Sequence, residues 1–164
     1  MRPILNGFWA VFVTAAVLAA GCSKSSSSSP TVTATINGKA WAANIPETGA
    51  LIITSRQLVV GGIQYKNGDS SEITIIFSSA ANFGQPLTSS DSSLSVDVGY
   101  LDFKTNTAYD GGIKAGHSSI TVTSYDSAAG KVSGTFNGLL YNTSGGSDSL
   151  IVTDGKFNAN FVKY

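Results

Sequence analysis

The chain has 164 residues, only 12% of them charged, with ten basic side chains balancing ten acidic ones. Near-neutrality excludes a polybasic surface and argues against nucleic acid as a partner. Eighteen glycines, many serines and threonines, one cysteine and one histidine favour strands and turns over helices, and leave too few ligands for a zinc site.

The N-terminal stretch is read first. Arg2 precedes an apolar run over residues 8–20, "FWAVFVTAAVLAA", whose one polar residue is Thr14. A cationic start, an apolar run of this length and small residues at its end predict a secretory signal peptide over residues 1–21. The run is shorter than the roughly 20 apolar residues of a spanning helix. It ends in Leu18-Ala19-Ala20-Gly21, followed by Cys22. This resembles the bacterial lipobox, which implies cleavage between Gly21 and Cys22, a diacylglyceryl group on the Cys22 thiol, and fatty acylation (palmitate) of the new amine. A lone thiol has no partner for a disulfide within the chain, which agrees with a lipidated cysteine. Residues 22–30 continue with six serines, Lys24 and Pro30. Nothing there can be buried, so the stretch predicts a flexible tether reaching roughly 15–18 Å.

Residues 31–164 read as one antiparallel β domain. Period-two alternation puts Ile73, Ile75 and Phe77 on one face, then Leu94, Val96, Val98 and Tyr100, then Ile120 and Val122. Further along it aligns Val132, Gly134, Phe136 and Gly138, and finally Phe157, Ala159 and Phe161. Asn37-Gly38, Asn67-Gly68 and Asp154-Gly155 each lie between such runs, and these dipeptides suit type I′ hairpins. The segment "YDSAAGK", residues 125–131, predicts a longer hairpin loop. About eight to ten short strands make an all-β fold, a β-sandwich or a barrel-like domain, with the two left open.

The segments "INGKAWAA" (residues 36–43), "ITVTSYDSAAGKVSGTF" (residues 120–136) and "VTDGKFN" (residues 152–158) resemble a family of small bacterial lipoproteins classed as a domain of unknown function. The resemblance implies a compact β domain behind a lipid anchor, and it brings no catalytic residues with it.

Reactive constellations are sparse. His117 stands beside Ser118 and Ser119, so a hydrolase built on His117 is conceivable, but no Gly-x-Ser-x-Gly elbow is present. Neither a catalytic set nor a metal or cofactor site is expected, since the aspartates (Asp69 near Glu72, Asp91 near Asp97, Asp110) match no calcium loop. Asp126-Ser127-Ala128 and Asp148-Ser149-Leu150 resemble a short bacterial O-glycosylation pattern and also read as plain loops. Terminal Tyr164 is shared with integral outer-membrane barrels, but the polar closing strands argue against that class. Trp41, with Tyr100 and Tyr109, forms a candidate platform for a ligand such as a glycan, against burial of Trp41 in the core. The expectation is a bacterial envelope protein held by lipid in the outer membrane, its face open. It is a non-catalytic module binding a glycan, small ligand or envelope protein, or else a structural component with no small ligand.

Overall fold

The structure, a computed structural model, describes residues 31–45, 49–54, 57–78, 84–89, 96–112, 116–145 and 147–162. The leader, Cys22, the serine tether, Leu94, Asp91 and Tyr164 lie outside the described residues. Among the described residues there is no helix. Eleven strands form among the described residues: β1 (Thr31–Ile36), β2 (Lys39–Ala42), β3 (Gly49–Thr54), β4 (Gln57–Lys66), β5 (Asp69–Ser78) and β6 (Pro86–Thr88), then β7 (Asp97–Asp102), β8 (Thr107–Asp110), β9 (His117–Asp126), β10 (Lys131–Asn142) and β11 (Ser149–Val162).

All belong to one sheet in the order β2-β1-β11-β3-β4-β5-β7-β8-β10-β9-β6, and β10 also pairs β11. That extra pairing closes a circuit from β11 through β3, β4, β5, β7, β8 and β10 back to β11, so the sheet is nearly barrel-shaped. Every pairing is antiparallel except β11 with β3. Along that circuit closure removes edges that would otherwise offer unpaired backbone groups, and β2 and β6 remain as the sheet's end strands. The β1–β2 hairpin, attached to β11, is latched to β4 as well. Asn44 Nδ2 donates to the Tyr65 carbonyl and Asn44 Oδ1 accepts from Tyr65 N, both at 2.7 Å, so a side-chain amide stands in for a strand residue.

Alternation builds the interior. In β4 and β5 it buries Leu58, Val60, Ile73, Ile75 and Phe77, while their neighbours face out. Cross-strand glycines make room for aromatic rings: Gly134 opposes Phe157, and two pairs further Phe136 opposes Gly155. A Cβ on Gly134 would lie 2.5 Å from the Phe157 ring.

Two of the expected hairpin turns form as read. Asn37 and Gly38 have φ of 47° and 77°, Asn67 and Gly68 have 55° and 88°, so both residues of each pair occupy the left-handed region that a type I′ turn demands. The segment at residues 127–130 is the β9–β10 turn, in which Asp126 Oδ1 accepts from Ala128 N and Ala129 N. Asp154-Gly155, in contrast, is no turn. It lies inside the 14-residue β11 as a β-bulge, with only Asp154 at positive φ (53°). Both neighbouring strands shift register there. The extra residue switches the buried parity from Val152 to Phe157, Ala159 and Phe161. That switch mimics, in sequence, two strands joined by a turn.

Candidate ligand site at the barrel mouth

Following each inward-facing register past its last apolar residue leads to one end of the barrel. Register pairs Trp41 with Ala34 on β2 and β1, Gln64 with Ser71 on β4 and β5, and Tyr100 with both Ile73 and Tyr109 on β5, β7 and β8. Because Ala34 and Ile73 are core residues, Trp41, Tyr100 and Tyr109 all sit on inner-facing positions. The three aromatic residues singled out from sequence are thus brought to one mouth.

Their roles differ there. Trp41 is 5% exposed, and its Nε1 donates to Ser71 Oγ at 2.9 Å. It packs in the core as a wall with a satisfied N–H, the burial that the sequence set against an open platform. Tyr100 and Tyr109 are half-buried and pack at 6.3 Å between ring centroids, tilted by 49°. Burial, then the carboxylates of Asp148 and Asp102 and the Tyr100 phenol, hold the Tyr109 phenol above its ordinary value, so it keeps its proton. Of the other tyrosines, Tyr125 stacks on Phe161 at 5.1 Å, and exposed Tyr65 stands at the Asn44 latch.

Two adjoining cavities open at this end. One, of about 240 Å³, is lined by Trp41, Tyr100, Ile36, Lys39, Gln64 and Lys66. The second, of about 300 Å³, shares Gln64, Lys66 and Tyr100 and adds Asn67, Asp69, Ser70, Asp102 and Lys104. Mouths of β-barrels are recurrent ligand positions. The rim is held by the β7–β8 turn, where Asp102 Oδ1 accepts from Lys104 N and Thr105 N while Lys104 Nζ meets Asp69 Oδ2 at 3.0 Å. Both partners of that ion pair are at least half exposed, so it orients the turn more than it stabilises it.

Sequence reading missed Lys39, Gln64, Lys66 and Asp102, and weighed Asp69 only as a calcium ligand. The usable signal was parity. Lys39 lies two residues before Trp41, Gln64 and Lys66 extend the Leu58–Val60 face, and Asp102 lies two beyond Tyr100.

His117 is exposed and faces outward, whereas Ser118, the next residue along β9, is fully buried. Adjacent residues of a strand point to opposite faces, so His117 cannot act as base for Ser118. Ser118 Oγ instead accepts from Val98 N at 2.9 Å and lies 3.4 Å from Asp97 Oδ1. His117 lines a separate outer depression of about 480 Å³ with Leu139, Ile151 and Asp154. Among the described residues, no three His, Cys, Asp or Glu side chains are grouped to hold a metal ion.

Asp97 has its carboxyl pushed up from the ordinary value by burial first and by the nearby Asp110 carboxylate second. The folded state therefore binds the proton more tightly than the unfolded chain. This contribution to stability is present at low pH and lost as pH rises from the unfolded carboxyl value through the raised folded one. Asp97→Asn, whose amide can donate to Asp110, is expected to raise stability at pH 7 by on the order of 0.5 kcal/mol, allowing for solvent screening. It should also remove the fall in stability that Asp97 causes as pH rises through its raised carboxyl value. Urea melts between pH 4 and 8 check this, and an unchanged curve would count against the carboxylate pairing.

No protein-family model, curated protein or solved structure matches this chain.

Proposed function

We propose that this protein is a lipid-anchored, non-catalytic binding module of a bacterial cell envelope, with its ligand site at the mouth of the barrel. The observation that carries the binding reading is the convergence of Trp41, Tyr100 and Tyr109 on inner-facing positions of one open end. The lipobox-like Leu18–Cys22 segment supplies the anchor and the serine run the spacing, in keeping with the resemblance to small bacterial lipoproteins. Ser23 after the cysteine, with no aspartate there, favours the outer membrane.

A second reading, a structural component of an envelope assembly, draws on a different place. Ile151 is 56% exposed on the outer face, beside Leu139 and His117. Such a residue can seat a protein neighbour.

Native mass spectrometry of the protein extracted from its own membranes in mild detergent separates the two. The binding reading expects added non-lipid mass that Tyr100→Ala removes and Ile151→Ala leaves. The structural reading expects a co-purifying protein that only Ile151→Ala removes. Identical spectra for wild type and Tyr100→Ala would sink the mouth as a site.

A further inference from the structure

We propose that the mouth takes an acidic sugar: a carboxylate-bearing pyranose in the cavity between Lys39 and Lys66, joined to an uncharged sugar in the adjoining cavity. This inference rests on the mouth being a binding site and adds the chemistry of its ligand.

The charge arrangement comes first. Lys39 on β2 and Lys66 on β4 line the same cavity of about 240 Å³. The one ion pair among the described residues is Lys104 with Asp69, so neither Lys39 nor Lys66 has a carboxylate partner there. Two ammonium groups facing one small cavity repel each other, and an anion between them relieves that repulsion. The second cavity, which Lys66 also lines, holds the carboxylates of Asp69 and Asp102, of which Asp69 is taken up by Lys104. A second anionic ring would therefore meet two carboxylates, while an uncharged ring would meet no such repulsion.

The walls decide the rest of the ligand. Half-buried Tyr100 gives aromatic surface against which the C–H face of a pyranose can pack, and buried Trp41 lines the same cavity as fixed wall. Trp41 is fixed by its bond to Ser71, and Gln64 by donation from Nε2 to the Ala42 carbonyl at 3.1 Å. That bond leaves Gln64 Oε1 to accept from a hydroxyl, and the amide of Asn67 and the hydroxyl of Ser70 stand in the adjoining cavity. Gln64, already held in place, can meet a polyhydroxyl ligand with little ordering cost. Two separate lysines present point charges, which attract a carboxylate or a phosphate alike, so inorganic phosphate is one of the probes.

The test is isothermal calorimetry on the full-length lipidated protein in nanodiscs. The probes are a tetrasaccharide alternating glucuronate with N-acetylglucosamine, the same compound with its carboxylates methyl-esterified, and inorganic phosphate. The acid is expected to bind about tenfold tighter than the ester, a gap that charge alone creates. Lys39→Gln and Lys66→Gln should each weaken the acid about fivefold, the upper range for partly exposed ion pairs, with the ester unaffected. Lys156→Gln, an exposed lysine of β11 away from the mouth, should change nothing. Equal affinity for acid and ester overturns the charge inference and leaves the mouth reading standing. Phosphate binding as tightly as the acid overturns the sugar. No binding by any saccharide, with the Tyr100-dependent mass still seen in native spectra, overturns the sugar class alone; loss of both removes the mouth reading as well.

Discussion

Gly134→Ala is expected to destabilise the barrel by about 3 kcal/mol, at the upper end of what overpacking a well-filled core costs. The new Cβ would meet the Phe157 ring at 2.5 Å and also collide with the Thr121 carbonyl oxygen, which a rotamer change cannot move. Alanine's lower chain entropy in the unfolded state works the other way by roughly 0.5–1 kcal/mol, too little to offset the clash. A melting temperature lower by roughly 10 °C should follow for a domain of this size. The matching position behaves alike: a Cβ on Gly155 would lie 2.7 Å from the Phe136 ring and collide with the Phe136 carbonyl oxygen. Adding Phe157→Leu to Gly134→Ala should recover only part of the loss, because it frees the ring space and leaves the Thr121 contact. Chemical denaturation of the three variants reads this directly. A Gly134→Ala protein that melts with wild type would show that the reciprocal Phe–Gly pairing of β10 and β11 does not govern the core.

Cys22→Ala is expected to have the largest effect on the protein in cells and none on the fold. Without the thiol there is no diacylglyceryl attachment. Each buried methylene of an acyl chain contributes about 0.8 kcal/mol, so the loss of two or more chains exceeds anything the tether's single Lys24 could replace. The variant should accumulate as an uncleaved precursor, or as a species without acyl mass, while the extracted β domain melts like wild type. Intact-mass measurement decides the matter. A normal, acylated mature mass in the variant would refute lipidation at Cys22.

Much of the fold was legible because strand alternation is a local signal. The faces carrying Ile73, Ile75 and Phe77, or Val132 and Phe136, emerge as read, and Asn-Gly dictates its turn through the positive φ of both residues. The errors have a local cause too. Asp-Gly at residues 154–155 satisfies the same turn grammar, and only the long pairing of β11 with both β1 and β10 makes it a bulge. Barrel closure was not legible, since it depends on β11 meeting β3 and β10 meeting β8 through two pairs each. Short β6, of three residues, lacks the length for a periodic signal. At the mouth the aromatic residues were visible by type. Lys39 and Lys66 were not, because a lysine at the end of a strand reads as solvated surface until register shows which way it faces.

Photo-crosslinking in living cells tests the mouth most directly. A photoreactive amino acid is placed at Ile36, which is half-buried, shares the inner face with Ala34 and lines the cavity with Trp41 and Tyr100, or at Ile151 on the outer face as control. Light should produce a saccharide-bearing adduct from position 36 and none from position 151. Adducts from position 151 alone, or no adduct from position 36, would contradict a ligand held at the mouth.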